Sequence, residues 1–480
     1  MQQENLRSKG IKAFIWDFFG KMVTQGTSFI VSIFLARLLD PSAFGLVAMV
    51  TVIIGVATVF TDVGLGSALV QRKKLLPVHY ASVFYFNIFV GLLLTLATYF
   101  CAGWIGAFYN DGKLVALAQV MSLSFVINAF SSVQTTKLRK ELNYVALTKS
   151  NAFASLMSGG IGVYLAYRDA GVWSLVAQSL SMGIFYNLLV WWLSQWKPSL
   201  LFSFKALSQL WGFGFRMFLI GLLEALFTRL DFLIIGKLFA PATLGFFQRA
   251  KTLNSMVIQY SSGSLMAVLF PILSKIQGDL PRFQNIAIKA MGVISFVVFM
   301  LLGGLYLISE ELITFLFGVK WLPSVGYFQI LALSGFGYPV GALLVNVLSS
   351  RGNSKAFLRL AMYKKTLMAL NFVVLYTKGI DFYLYGLIVT SVFSAILNIL
   401  FAAREIKLSF FKFAEPILDQ AILSVLAAVT TLYLVTWVQM DALFLFIYKG
   451  VAFASLYFLM SVMFKTHSYG SFSEQVKHRF

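Results

Sequence analysis

From about residue 11 to residue 464 the chain is a succession of apolar runs of roughly 20 residues, separated only by short charged or turn-forming links. That pattern excludes most folds at once. A soluble domain needs polar cover for its surface, and a chain that is 59% hydrophobic and 12% charged, with a mean hydropathy of +0.83, cannot supply it. The expected fold is an all-α integral membrane protein of about 14 transmembrane helices. They fall near 11–38, 43–70, 80–106, 113–138, 148–168, 171–195, 208–239, 243–273, 286–308, 325–349, 356–377, 382–403, 418–438 and 442–464, numbered here as spans in that order. The first run is too long for a signal-peptide core and lacks a small-residue cleavage site, so no cleavable leader is expected. The single cysteine, Cys101, lies in an apolar run and excludes a disulfide framework. His79, His467 and His478 are scattered over polar links, so no metal and no cofactor is expected.

A net charge of +20 would by itself suggest nucleic acid. The basic residues are distributed differently. The links "QRKKLLPVHY", "KLRKEL" and "SRGNSKAFLRLAMYKK" are strongly basic, whereas "FYND", "ISEEL" and "KGID" are weakly charged or acidic. Threading the chain with its N-terminus inside puts most of the 38 Lys and Arg on one side of the membrane. This is the positive-inside pattern, and it predicts cytoplasmic termini. No nucleic-acid partner is expected, because no folded domain carries a basic face.

The chain also repeats itself. Trp16, Phe18, Lys21 and Met22 match Trp211, Phe213, Arg216 and Met217 in order and spacing. Downstream, "RLLDPSAFG" (37–45) matches "KLFAPATLG" (237–245), aligning Arg37 with Lys237, Pro41 with Pro241 and Gly45 with Gly245. Span 1 therefore corresponds to span 7 and span 2 to span 8. An even number of spans separates the copies, so both insert with the same orientation, as in transporters made of two parallel bundles. The expected organisation is an N-lobe over 1–200, a C-lobe over 201–410, and an appendage of spans 13 and 14 with a tail over 411–480.

Ionisable residues inside a bilayer each cost about 2.5–3.5 kcal/mol at its centre, so their positions carry information. They are Asp17, Lys21, Asp62, Arg216, Glu224, Arg229, Asp231, Arg249, Lys251 and Lys449, and all but Lys449 lie on spans 1, 2, 7 and 8. These four helices are expected to line a water-accessible central cavity. Lys21 and Arg216 sit roughly 12–15 Å from the helix ends and at matching depth. Two facing cations repel unless an anion lies between them, so Lys21, Arg216, Arg249 and Lys251 are candidates to bind a phosphate-bearing substrate. Asp17, Asp62, Glu224 and Asp231 are candidates for ion or proton coupling, or for charge pairing. Gln248, Lys251, Ser255, Gln259 and Ser262 form one polar stripe on span 8. For Arg229 and Lys449 the alternative to a place in the cavity is snorkelling to the interface. The glycines of "FTDVGLG" (60–66) fit either a helix break or close helix packing, and "GFGF" (212–215) poses the same choice. Trp191, Trp192 and Trp196 fit an interfacial aromatic belt.

No GxxxxGK[ST] loop, no HExxH and no large loop able to house chemistry is present, so transport without chemical change fits better than enzymology. The phrases "FLARLLDPSAFGLVAMV…FTDVGLGSALVQRK" and "RLDFLIIGKLFAPATLGFFQRAKTL" resemble the polysaccharide-transport branch of the multidrug/oligosaccharidyl-lipid/polysaccharide exporter superfamily, in particular Wzx-type oligosaccharide flippases of the colanic-acid-exporter-like group. The resemblance implies a two-lobed, V-shaped cavity working by alternating access. It implies that undecaprenyl-pyrophosphate-linked repeat units cross from the cytoplasmic to the periplasmic leaflet, for exopolysaccharide, capsule or O-antigen (lipopolysaccharide) synthesis. It further implies a groove for the lipid tail on spans 13 and 14. The partners implied are lipid-linked oligosaccharide, membrane lipid, and a polysaccharide polymerase with chain-length or export proteins. Two other functions of the same fold stand beside it: a cation-coupled multidrug exporter and a lipid II flippase. A membrane-embedded polymerase or ligase, and a non-transporting scaffold, are the alternatives from other classes.

Overall fold

The computed structural model describes the backbone of residues 2–438 and 440–464, and their side chains except at 2–15, 17, 259–268, 270, 271, 354 and 442. The side chains of Asp17, Gln259 and Ser262, and both His467 and His478, therefore lie outside the described residues.

Among the described residues there are helices and no strands. In chain order the helices are α1 (Gln2–Leu38), α2 (Pro41–Ala57), α3 (Val59–Asp62), α4 (Leu65–Gln71), α5 (Pro77–Tyr109), α6 (Lys113–Met121), α7 (Leu123–Lys140), α8 (Tyr144–Tyr167), α9 (Val172–Ser194) and α10 (Phe204–Leu238). They continue with α11 (Pro241–Lys275), α12 (Leu280–Leu307), α13 (Ser309–Phe317), α14 (Ser324–Gly335), α15 (Gly337–Ser350), α16 (Ser354–Lys378), α17 (Ile380–Glu405), α18 (Phe410–Val435) and α19 (Ala442–Met463). Each expected span falls on one of these helices or on a consecutive set: α2–α4 for span 2, α6–α7 for span 4 and α14–α15 for span 10. Among the described residues, ten segments are long and apolar enough to cross a membrane. Of the rest, α8, α10, α11 and α16 are 24, 35, 35 and 25 residues long, and α10 is the helix that carries Arg216, Glu224, Arg229 and Asp231. Length suffices there, and polar content lowers the apolarity.

The chain forms two compact units, Met1–Gly245 and Phe246–Phe480. In the first, α1 lies along α8, α8 along α9, and α7 against α5 and α9, while α10 packs on α2, α3, α4 and α5. Leu65, Leu69, Val83, Phe84, Val133 and Leu210 form a core where α4, α5, α7 and α10 meet. In the second unit α12 packs on α14, α15, α18 and α19, and α17 on α14, α15, α16 and α18. Its core holds Phe283, Met291, Leu343, Val347, Ala402 and Phe413. Large apolar side chains such as Phe100, Trp104, Tyr433 and Phe444 point outward, as lipid-facing helices require. Small residues let helix axes approach: Gly159 faces Val31, and Gly91 faces the Phe125 carbonyl.

The repeated phrases fold alike and meet. Proline opens both α2 and α11, where its missing N–H costs nothing. A side chain at Gly45 would collide with the Pro241 carbonyl, and one at Gly245 would collide with the Pro41 carbonyl. The two helix starts thus cross reciprocally, each glycine admitting the other's backbone.

Candidate functional site

The first unit contains a polar cavity of about 240 Å³. Its walls come from α1 (Gly20, Lys21, Thr24, Gln25), the end of α7 (Arg139), the start of α8 (Tyr144, Leu147, Thr148, Asn151) and α9 (Tyr186). The local sequence explains the arrangement. At Gly20 a side chain would overlap Thr148, so glycine allows α1 to lie close on α8, and the Thr148 hydroxyl donates to the Trp16 carbonyl at 3.0 Å. Asn143 caps α8 by accepting from the Ala146 N–H at 3.2 Å, which fixes the helix start beside the cavity. The Tyr186 hydroxyl is 3.1 Å from the Thr135 hydroxyl. Two cations, four amide or hydroxyl side chains of α1 and α8, two tyrosines and the positive end of a 24-residue helix suit an anion. Lys21 is one of these cations, and the second is Arg139, not Arg216. Spacing on a helix cannot show this, because Arg139 sits in a basic link where charge reads as topology.

The second polar centre lies at the break in span 2. Val63 and Gly64 are both left-handed, with φ of 45° and 70°, and separate α3 from α4. The Asp62 carboxylate accepts from the Gly66 N–H at 2.9 and 3.1 Å, from Asn87 Nδ2 at 3.2 Å and from the Ser132 hydroxyl at 3.3 Å. Asn87 Nδ2 also donates to Ser132 Oγ at 2.9 Å. Both readings of the glycines hold here: the helix breaks, and a side chain at Gly64 would overlap the Gly214 carbonyl of α10. α10 itself runs unbroken through "GFGF", where Gly214 is a packing contact. The strand of links near that end is tied to α10 as well. Gln209 Oε1 accepts from Arg72 at 2.5 Å and lies 3.2 Å from His79 Nε2, and Lys140 donates to the carbonyls of Leu69 (2.7 Å) and Arg72 (2.5 Å).

The other candidates are dispersed. Arg216 and Glu224 are exposed on α10, whereas Asp231 is buried. Arg229 is half-buried against Gly55 and donates to the Thr51 carbonyl at 3.2 Å, so it packs on α2 and does not snorkel. In the second unit the Arg249 guanidinium is buried against the rings of Phe317 (5.1 Å) and Trp321 (5.4 Å). Lys251 lies 5.7 Å from the Phe247 ring, one turn back. Lys449 does not snorkel either: it forms an ion pair with Glu311 of α13, both side chains largely buried. The tryptophans split. Trp191 and Trp196 pack on Phe84 at 5.8 and 5.7 Å, with Trp191 Nε1 donating to the Phe130 carbonyl at 2.8 Å, and only Trp192 projects outward.

Long apolar helices in two compact units, with charge held inside the first, define a multi-pass membrane protein. The fold is that of the exporter superfamily. A solved lipid II flippase, MurJ, in its inward closed conformation superposes with a TM-score of 0.72 at 16% identity, covering 95% of this chain and 98% of that one. An inward-facing MATE-family multidrug resistance transporter gives 0.62 at 16% identity, covering 80% and 94%. A family model described as polysaccharide biosynthesis protein matches residues 34–326, and the chain belongs to that family. It is similar to the lipopolysaccharide biosynthesis protein WzxC of Escherichia coli K12, 25% identical over 71% of this chain and 70% of that protein. It is also similar to the teichuronic acid biosynthesis protein TuaB of Bacillus subtilis 168 (26%, covering 58% of each) and to the succinoglycan biosynthesis transport protein ExoT of Rhizobium meliloti 1021 (25%, covering 66% and 65%).

Proposed function

We propose that this protein flips undecaprenyl-pyrophosphate-linked oligosaccharide units from the cytoplasmic to the periplasmic leaflet by alternating access, supplying exopolysaccharide, capsule or O-antigen synthesis. The family and the fold make it a flippase for lipid-linked oligosaccharide, a transporter and not an enzyme. The pyrophosphate, the direction and the fourteen-span topology with both termini inside are the finer parts of the reading. The observation that supports the pyrophosphate is the cavity on α1, α7, α8 and α9, and the positive-inside pattern of the links supports the orientation. With the N-terminus inside, the cavity opens at cytoplasmic depth, where a pyrophosphate headgroup enters and its lipid stays in the bilayer. Lys21 and Arg139 grip the phosphates, Arg139 with a bidentate fork. Thr24, Asn151 and Tyr186 offer the neutral donors that such an anion also needs. Arg216 and Glu224, exposed on α10, act on the substrate at a later stage of the cycle, and Asp231, Arg249 and Lys251 serve charge balance and helix packing. A polymerase and a chain-length or export protein take the product.

The test is polymer export in a host lacking its own flippase, with membrane abundance of each variant measured alongside. Lys21→Ala and Arg139→Ala are each expected to reduce export at least tenfold, roughly the loss of one charge-assisted contact. Arg216→Ala is expected to do the same. Wild-type export from Lys21→Ala and Arg139→Ala together would remove the cavity from the mechanism.

A further inference from the structure

We propose that Asp62, Asn87 and Ser132 form a binding site for a small monovalent cation, Na⁺, at the break in span 2, and that its occupancy strengthens the phosphate cavity through Arg139. The site stands on its own geometry. The coupling rests on the flippase reading.

Asp62 is a carboxylate inside a membrane span, and its partners are the neutral donors Gly66, Asn87 and Ser132. Among the described residues no Lys or Arg lies within ion-pair distance of it, and Arg139, on the same face of α7 as Ser132, stands two turns beyond that residue. A full negative charge in a bilayer needs a compensating charge, and neutral hydrogen bonds spread it without cancelling it. Asn87 supplies a second observation. It is fully buried, its Nδ2 points at Asp62 and Ser132, and its Oδ1 has no hydrogen-bond donor at all. Nearby on span 2, the buried Thr61 hydroxyl is likewise unpartnered. Turning the amide over gives up the two Nδ2 hydrogen bonds, which the oxygen's contact with the cation replaces, and it needs no extra room because oxygen and nitrogen are nearly the same shape.

The distances fit the ion. Asp62 Oδ1, the inner amide position of Asn87 and Ser132 Oγ form a triangle with edges of 3.2, 2.9 and 3.3 Å. With Asn87 turned, all three corners are oxygens. Oxygens so spaced can each contact one ion at about 2.4 Å, the range that hard cations of this radius take. A single carboxylate matches a single charge. No group of three or more acidic, His or Cys side chains, as a divalent ion would favour, occurs among the described residues.

Coupling follows from Arg139. It lines the phosphate cavity, and it stands on α7 two turns beyond Ser132, the residue bonded to Asp62, so its charge also acts on that carboxylate. Without the cation, the carboxylate offsets part of the positive field in the cavity. With Na⁺ bound, that offset ends and the cavity attracts phosphate more strongly. By reciprocity, phosphate in the cavity must then favour Na⁺ at Asp62. The same ion sits two residues from Gly64, where span 2 touches α10, so occupancy also bears on that contact.

The experiment uses the full-length protein in detergent, comparing NaCl with choline chloride and KCl at equal ionic strength. Two readouts are taken: the thermal midpoint, and the affinity for inorganic pyrophosphate by titration calorimetry. Na⁺ is expected to raise the midpoint above that in choline or K⁺, and to tighten pyrophosphate about fivefold or more. Asp62→Asn keeps the acceptor for Gly66 and should lose both responses. Ser132→Ala, a change too small to threaten folding, should need several-fold more Na⁺ for the same shift. Equal midpoints in Na⁺ and choline for the wild type, or a full Na⁺ response in Asp62→Asn, would overturn the site. A response to pH alone would do so too. Failure of the flippase reading looks different: Lys21→Ala would export normally while the Na⁺ shift stayed intact.

Discussion

Span 2 and span 8 begin alike and then diverge. Each follows a basic helix end, Arg37 or Lys237, opens on a proline and places a glycine four residues later at the reciprocal crossing. α11 then runs unbroken to Lys275, whereas α2 stops at Ala57 and the chain breaks again at Val63 and Gly64. Elsewhere the two repeats keep the same punctuation. Span 4 is interrupted at Ser122 and span 10 at Phe336. Spans 5 and 11 each start after a left-handed residue (Leu142, Gly352) and an asparagine cap (Asn143, Asn353). Spans 6 and 12 each follow a glycine with positive φ, Gly171 or Gly379. Features present in both halves are what a six-helix bundle needs in order to fold. The left-handed break at Asp62 has no counterpart in α11, and there the first half departs from scaffold toward function.

The largest asymmetry is the appendage. Only the second half carries two further helices, and Lys449 on α19 is paired with Glu311 on α13. Glu311 Oε2 has no other partner and is buried, so removing the lysine strands a charge. Lys449→Ala is expected to cost about 3–5 kcal/mol. Loss of the midpoint by several degrees in detergent should show it, and the double variant Lys449→Met with Glu311→Leu should restore most of it. An unchanged midpoint in Lys449→Ala would mean that α19 is held by packing alone.

How much of this could be read from the chain depended on the residue type. The crossing was visible because Trp, Pro, Gly and a cation recur in register, and such residues rarely match by accident among leucines. Asn143 and Asn353 escaped notice because an N-cap is one polar residue in a polar link, with no pattern around it. Asp62 was marked by its depth, but Asn87 and Ser132 are neutral residues on other spans, and no spacing rule connects them. Arg139 was hidden by its neighbours: in "KLRKEL" every cation serves topology, and only the fold shows which one turns into the cavity. Glu311 likewise stood in the weakly acidic link "ISEEL", 138 residues from its partner.

The reciprocal crossing gives the next test. A methyl group at Gly45 or at Gly245 meets a backbone carbonyl, which cannot rotate away. Gly45→Ala and Gly245→Ala are each expected to destabilise by about 1–3 kcal/mol and to impair export to a similar degree. Equality is the point, since the contact is nearly symmetric. If one variant is severe and the other silent, the two helix starts are not equivalent and the repeat is only a likeness of sequence.

The smallest effect bears on the comparison most directly. Asn143 accepts from Ala146 at 3.2 Å and Asn353 from Ala356 at 3.0 Å, the same cap three residues ahead of an alanine in each half. Replacing either with alanine removes one satisfied helix-start N–H, worth about 1 kcal/mol. The surroundings differ. Asn353 Nδ2 also donates to Glu405 at 2.6 Å, and Arg351 lies 3.9 Å from that carboxylate, so Asn353→Ala loses a charge-assisted bond as well. Asn143 stands beside the phosphate cavity. Asn353→Ala should therefore lower the thermal midpoint more than Asn143→Ala, while Asn143→Ala should be the one that weakens pyrophosphate binding, because it loosens the start of α8 under Tyr144 and Thr148. Paired midpoints and pyrophosphate titrations separate the two roles. Were Asn353→Ala to weaken pyrophosphate as much as Asn143→Ala, the cap would be acting through global stability, and the placing of the headgroup beside α8 would fail.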